Sequence, residues 1–565
     1  MAKHQPLAVI NNKYLILDRC SEFTVTFQNM SREYFCVMDV YPVIAPAHPH
    51  RHPGWFRFDL EKDGDYNFSI GQQKNVLVVE SNECEVTDSW VSDCLEKNIF
   101  PVSIRVVIRK KINNEIVFQD RLICYEDEQD YINDKCFFEN LGKYINSLPL
   151  INRIIPSGLN VKIVTRNFID GDAIGYFTWE AYALLRKMNI SADIYVQNCD
   201  DKFRPFVHHV SELFTDSQAL NKDTIVFYNY SIQDDYLGDI LELPCKKQAY
   251  FHGITNPRKL RVFDAELAEE CSKGLAELHN LIKFDSVVVN SACTKRHLMC
   301  SVKNYGEKCI KEELEKQSFA MEDIPEEYLE ELQDEYIEEP VRMLEDRVSI
   351  APPIILGNIA WENISSDGQF RGSIDKIGDV ILYVGRMYPH KRIEDILDVF
   401  EATLQENEKA ILLLIGGTHN SYYKYIDYKI KQMPEKAREH IIVIPQVSRN
   451  QLKAAYEAAK VFITMSEDEG FCVPVLEAMR FGLPVFAKLD ENSAACEVLG
   501  GSGKLVENKD YTSIAREINL IMSDDAYAGK IVSQQNKQLL MYKDENIMKE
   551  FINNILECYY GKSLY

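Results

Sequence analysis

Apolar and polar residues alternate in short runs over the first 140 positions of the chain. EFTVTF (22–27), YFCVMDVYPVI (34–44), WFRFDL (55–60), NVLVVE (75–80), VSIRVVIRKK (102–111) and EIVFQDRLICY (115–125) read as strands, separated by turn-rich stretches such as LEKDGDYN. Regular short strands without helical patterns between them predict an antiparallel β-sandwich-like accessory domain over residues 1–140. Trp55 and the tyrosines of this region could form a sugar-stacking face, but aromatics in a sandwich usually fill its core. A linker-like stretch, INSLPLINRIIPSGLN, follows.

Beyond it the period changes. NVKIVTRN, ADIYVQN, DTIVFYNY, KKQAYFHG and SVVVNS read as strands, with a helix through Tyr176–Met188 after the first. The alternation restarts after Pro352-Pro353: DVILYVG, AILLLIGG, HIIVIP, VFITMS and PVFAK are strands, and IEDILDVFEATL, NQLKAAYEAA and PVLEAMRFG are helices. Such strand–helix alternation means parallel sheets with helices on both faces. The expected class is α/β: two doubly wound, Rossmann-like domains (155–350 and 351–530) facing each other across a cleft, with ligands at the carboxyl ends of the strands. The last helices, residues 531–565, have no strand of their own and are expected to pack back onto the first of these domains.

Composition narrows the class. Of 565 residues, 46% are apolar and 27% charged, a globular mix that excludes a disordered or fibrous chain. No apolar run approaches the ~20 residues that span a bilayer. The N-terminus lacks the basic and apolar regions of a signal peptide, and fifteen cysteines are dispersed without framework spacing, so a cytoplasmic protein with reduced thiols is expected. The net charge of −24 argues against nucleic acid as a partner and gives no indication of peripheral membrane association, which stays open. Residues 312–346 hold 15 acidic and 2 basic residues, net −13. With Leu314, Tyr328, Leu332 and Tyr336 at helical spacing, this is an acidic helical insertion (303–347), read as a solvated surface rather than a docking site.

The stretch SEDEGFCVPVLEAMRFGLPV carries the most chemistry. It places Glu469 and Gly470 in a loop after a strand, Pro474 at the first helical position and Glu477 in the first turn. Amides of Gly470, Phe471, Cys472 and Val473 at a helix N-terminus form an anion site. Two carboxylates flanking it suit a ligand with both hydroxyls and phosphates, as a nucleotide sugar has. GRMYPHKR puts Gly385, Arg386 and Lys391 at the same sheet edge, where two cations can neutralise a diphosphate leaving group without a metal.

Together these motifs make residues ~160–530 resemble retaining glycosyltransferases of family 4, with the GT-B fold, especially polysaccharide-assembling members. Glu469 and Glu477 meet the family's pattern of two glutamates with seven residues between them, and Gly385, Arg386 and Lys391 its Gly-Arg…Lys. The resemblance implies that the backbone near Val447 meets the nucleobase, and that His252, in YFHGITNPRKLRVFD, lies near the reacting sugar. SVVVNSACTKRHL and the PP of IAPPI also match. It further implies catalytic roles for Glu469, His252, Arg386 and Lys391, and donor contacts from Gly385, Val447, Gly470 to Val473 and Glu477. The expected reaction moves a hexose from a nucleotide diphosphate sugar to a glycan or glycosylated carrier. No cofactor and no metal are expected.

The chain departs from the pattern in two places. The loop after the first strand is IDGDAIG, with Gly171 and Gly175 spaced apart; Gly171, Asp172 and Gly175 are taken as an acceptor and phosphate loop. DENSAACE replaces a Gly-Gly-x-x-Glu segment, which leaves Glu497 without an assigned role. Asp170-Gly171-Asp172 spells a metal motif of another fold but lies in a turn, and His48, His50 and His52 read as a solvated Pro-rich loop. Two alternatives stay open: an epimerase or sugar phosphorylase on the same fold, or a non-catalytic glycan-binding scaffold.

Overall fold

The computed structural model describes residues 6–11, 14–16, 22–42, 54–60, 62–73, 76–91, 102–112, 116–125, 139–169, 172–200, 203, 207–215, 220–316, 326–355, 361, 364–418, 420–507 and 510–561. His48, His50 and His52, together with Asp170 and Gly171, lie outside these residues.

Among the described residues, ten strands come first: β1 (Leu7–Ile10), β2 (Tyr14–Ile16), β3 (Glu22–Gln28), β4 (Tyr34–Pro42), β5 (Gly54–Phe58), β6 (Gly64–Gln73), β7 (Val76–Glu80), β8 (Val86–Val91), β9 (Val102–Lys110) and β10 (Ile116–Tyr125). They form a four-stranded sheet, β1-β3-β6-β7, and a six-stranded sheet, β2-β10-β9-β4-β5-β8. Every pairing is antiparallel except β2 on β10. Phe23, Val25 and Phe27 of β3 share one core with Cys36, Met38 and Val40 of β4. The turn expected at LEKDGDYN is shorter than the stretch, because β6 already begins at Gly64. Its alternation was obscured because polar residues fill the opposite face: Asp65 accepts from Thr26 Oγ1 at 2.6 Å and Asn67 from Thr24 Oγ1 at 2.7 Å, while Phe68 and Ile70 are buried.

Two parallel sheets follow. The first has strands β11 (Asn160–Phe168), β12 (Ser191–Cys199), β13 (His208–His209), β14 (Thr224–Tyr230), β15 (Lys246–Phe251), β16 (Ser286–Val289) and β17 (Val348–Ile350), in the order 13-12-11-14-15-16-17. The second has β18 (Asp379–Val384), β19 (Ala410–Ile415), β20 (Ile441–Ile444), β21 (Val461–Thr464), β22 (Val485–Lys488) and β23 (Lys504–Val506), in the order 20-19-18-21-22-23. Each is Rossmann-like, and in each the order reverses between the first and fourth strands, the switch point at which such sheets bind ligands. β19, AILLLI, is buried at every position, as a strand covered by helices on both faces must be. Each of its large side chains contributes about 1.5–3 kcal/mol by leaving water.

Two compact units divide the chain: residues 1–227 with 236–246, and 228–235 with 247–565. The second unit holds all of the second sheet and the C-terminal helices. The expected placement of residues 531–565 needs one correction. The helix Asp525–Gln538 packs on the second sheet, where Gln535 donates to Leu483 O at 2.7 Å and accepts from Val485 N at 3.0 Å. The helix Asp544–Tyr560 lies on the first sheet: Gln248 donates to Asn554 O at 2.9 Å, and Ser349 Oγ to Asn554 Oδ1 at 2.8 Å. A buried pair joins this helix to the second domain, with Arg480 Nη2 and Asp544 Oδ1 3.0 Å apart. Removing one partner of such a pair costs about 3–5 kcal/mol, since the other charge is left buried alone.

The acidic segment is helical at Glu326–Gln333 and Glu339–Arg347, with a wider π turn at Asp334–Glu338 between them. It leans on the helix Ala292–Lys316, where Gly306 admits the carbonyl of Tyr336; a Cβ there would lie 2.1 Å from that oxygen. Among the described residues, no helix is long and apolar enough to cross a membrane.

Candidate functional site

The loops after β18 and β21 leave the second sheet on either side of its switch point. After β18, Gly385 N donates to Ile415 O at 2.9 Å. A Cβ on Gly416, whose φ is +151°, would sit 1.9 Å from the carbonyl of Gly385, so only glycine lets the two loops meet. Arg386 then lies with its guanidinium 5.8 Å from the centre of the Tyr388 ring. A 3₁₀ turn, Pro389–Lys391, ends at Arg392 in the left-handed region. Arg392 is held there by Asp395 through two contacts at 3.1 Å and by Glu394 at 2.7 Å.

After β21, Ser466 to Cys472 lead into the helix Val473–Arg480. Glu469 N donates to Asn492 O at 3.1 Å and its carbonyl accepts from Ala494 N at 3.0 Å, which pins its backbone from both sides. Its carboxylate meets Lys391 Nζ at 2.5 Å. The two motifs read from sequence thus close on one another, with a cation of one against a carboxylate of the other. Glu467 supports the junction: its N–H donates to His390 O at 2.8 Å and its carboxylate binds Lys488. Burial opposes ionisation of Glu467, yet Lys488 and Arg392 hold its carboxyl below the usual range.

Glu477 corrects an expectation. The helix begins at Val473, with Pro474 second, so Glu477 falls beyond the first turn. A sequence rule that starts helices at proline misses the residue before it, here because Cys472 adopts φ +69° and turns the chain early. Glu477 Oε2 accepts from Tyr456 Oη at 3.0 Å, and burial raises its carboxyl pKa. Tyr456 stacks on Phe481 at 5.0 Å, beside Trp361. Phe471 and Cys472 are buried, and Phe471 packs edge-on against Tyr542, so their side chains belong to the core. Val447 sits between β20 and the capping box of Ser448 and Gln451.

His252 follows β15. Its N–H donates to Tyr230 O at 2.9 Å, its carbonyl accepts from Asn290 Nδ2 at 3.0 Å, and its Nε2 lies 3.0 Å from Asn229 Oδ1. Burial lowers its pKa from 6.5 to about 3, so the ring is neutral at physiological pH and Nε2 carries the proton given to Asn229. Gly470 adjoins it: a Cβ on Gly470 would come 2.0 Å from His252 O. His252 and the Glu469 loop are therefore brought together. An unfolded chain binds a proton at a free histidine below pH 6.5, whereas His252 resists until about pH 3. Its contribution to stability is complete above pH 6.5 and is lost as pH falls through that window. Denaturation midpoints at pH 7.5 and 5.0 are expected to differ less in His252→Gln than in the wild type, by up to about 1.4 kcal/mol per pH unit.

Glu497 takes a structural part. Its carboxylate accepts from Ala292 N at 2.8 Å and Cys293 N at 3.3 Å, capping the helix Ala292–Lys316. Asp172 does the same for the helix Ala173–Lys187, accepting from Ile174 N at 3.1 Å and Gly175 N at 3.4 Å. Gly175 is fixed by space, since a Cβ would meet Ile169 O at 2.4 Å. Asn229, Tyr456 and Asp468 were not singled out from sequence. Asp468 stood inside the quoted SEDEGF, but only the fold shows what its side chain reaches.

Residues 369–538 match the family described as Glycosyl transferases group 1. Over 174 residues the chain is 28% identical to the O-antigen chain mannosyltransferase B of Escherichia coli, covering 30% of this chain and 44% of that one. Over 201 residues it is 27% identical to an uncharacterized glycosyltransferase of Methanocaldococcus jannaschii, covering 35% and 49%. The chain thus spans about half the length of the curated relatives it matches. The crystal structure of Anabaena Alr3699/HepE in complex with UDP-glucose superposes with a TM-score of 0.50 and 12% identity, over 71% of this chain and all of that one. The two parallel sheets, their switch points and this superposition give the chain the GT-B fold. The residues similar to the group 1 glycosyl transferases, 369–538, include the whole second parallel sheet.

Proposed function

We propose that the protein is a retaining, metal-independent glycosyltransferase of family 4. It moves a hexose from a nucleotide diphosphate sugar to a glycan or glycosylated carrier in polysaccharide assembly. The observation that carries this reading is the pairing of Lys391 with Glu469 at the switch point of the second sheet, at 2.5 Å. An arriving diphosphate competes with a carboxylate for that ammonium. Once Lys391 and Arg386 turn to the phosphates, Glu469 is released toward the sugar, where positive charge develops as the glycosidic bond breaks. Stabilisation of the leaving diphosphate by these cations and by the amides at the start of the Val473–Arg480 helix supplies the largest catalytic contribution. Glu477 holds ribose hydroxyls. The acceptor attacks on the face the diphosphate leaves, with His252 beside the sugar as a neutral hydrogen-bonding group. The similarity to an O-antigen mannosyltransferase supports a glycan acceptor.

A thermal-shift panel of UDP-glucose, GDP-mannose, ADP-glucose and dTDP-glucose tests the donor. One of them at a hundred times its Kd is expected to stabilise by about 2.7 kcal/mol. Product analysis with and without glycan acceptors then separates transfer from epimerisation. Conversion of the donor sugar without any acceptor would refute the reading.

A further inference from the structure

Asp468 adjoins Glu469 in the chain, yet its side chain serves another segment. It is 8% exposed, and its Oδ2 accepts the backbone N–H of Asn256 at 2.8 Å. Asn256 in turn caps the short helix Pro257–Leu260 through its own side chain. From that helix Lys259 Nζ donates to the carbonyl of Glu467 at 2.6 Å. At the other end of the segment, a Cβ on Gly253 would lie 3.3 Å from the Cα of Gly470. Residues 252–260 thus meet residues 467–470 at both ends, and Asp468 is the one side chain of the latter stretch that grips the former's backbone. The grip is sited four residues from His252 and one from Glu469. Burial raises the Asp468 carboxyl pKa, while the bond from Asn256 and the nearby Lys259 favour the ionised form.

We propose that Asp468 is a positioning residue that sets the spacing between the His252 segment and Glu469. The role rests on the glycosyl-transfer reading, in which His252 and Glu469 act on one sugar. A displacement of about 1 Å at such a site costs on the order of a hundredfold in rate. A residue acting only on spacing lowers kcat and leaves donor affinity alone. Asn retains an oxygen that accepts the same N–H, whereas Ala retains none.

The test compares Asp468→Ala and Asp468→Asn with the wild type in the full chain. Release of nucleoside diphosphate and thermal-shift affinity are measured with the four nucleotide sugars named above. Hydrogen exchange of the peptide covering 252–260 is followed by mass spectrometry. Asp468→Ala is expected to lose about 30- to 100-fold in kcat, to keep donor affinity within about threefold, and to exchange faster at 252–260. Asp468→Asn, which keeps the acceptor and the fold, is expected to recover most of the rate. Wild-type kcat in Asp468→Ala, a loss of donor affinity matching the loss of rate, or unchanged exchange at 252–260 would each overturn the role. Faster exchange in Asp468→Ala, alongside a wild type that transfers no sugar from any of the four, would instead sink the glycosyl-transfer reading. The positioning role would fall with it, and Asp468 would remain a structural tie.

Discussion

Glu469→Gln is expected to lower kcat by about 10²–10³-fold while changing donor affinity far less. The amide can still accept a hydrogen bond, so the donor is held, but it carries no charge to set against the cationic sugar of the transition state. It also leaves Lys391 without the carboxylate that meets it at 2.5 Å. The ammonium is then freer to bind phosphate, which supports donor binding rather than opposing it. Glu477→Ala is expected to fail in the opposite way. Its carboxylate accepts from Tyr456 Oη and is proposed to hold ribose, which does not change during the reaction. Loss of a charged hydrogen bond of ~1.5–3 kcal/mol weakens donor affinity about ten- to a hundredfold with little effect on kcat. Steady-state kinetics with donor binding measured separately distinguishes the two. Full kcat in Glu469→Gln, or a pure kcat defect in Glu477→Ala, would reverse the assignment.

Gly470→Ala is the second large effect. The added methyl would stand 2.0 Å from the carbonyl oxygen of His252 and 2.9 Å from Asn290 Nδ2. The carbonyl is backbone, bound by Asn290 and carried on a residue anchored to β14, so it has little freedom to retreat. Overpacking of this kind costs about 1–3 kcal/mol in stability. The larger consequence is functional, because relief comes by moving the Glu469 loop or the His252 segment. A loss of at least a hundredfold in kcat/KM is expected, with a thermal midpoint lowered by only a few degrees. A variant with wild-type kcat/KM would show that the contact has no bearing on the chemistry.

The sequence made the α/β half of the fold legible because buried parallel strands write long apolar runs: AILLLI and VFITMS need no context to be read. The sandwich was legible only in part. β6 mixes polar residues with two glycines, and β1, β2 and β8 are short or polar, so their strand character comes from partners far along the chain. At the candidate site, residue types and spacing singled out Glu469, Lys391 and Arg386, and the fold places Lys391 against Glu469. The same reasoning started the helix one residue too late and so put Glu477 in its first turn, because no propensity rule foresees a left-handed cysteine before a helix. Glu497 could be noticed but not interpreted. Its partners are amides about 200 residues away, and a helix N-terminus advertises no preference for a particular distant carboxylate.

Cys472 occupies its left-handed conformation at a cost of roughly 1–2 kcal/mol relative to an ordinary helical or extended one. Its side chain makes no helix-capping bond, and the local tie is the bond from Val475 N to its carbonyl, at 3.1 Å. Tertiary burial adds to this tie, with Phe471 packed edge-on against Tyr542 and Cys472 enclosed beside it. The stretch from Glu469 to Glu477 is therefore not an autonomous module. Excised as a peptide, or grafted onto another strand–helix junction without the aromatic from the C-terminal region, it would relax to an ordinary turn, and the first amides of the helix would lose their common aim.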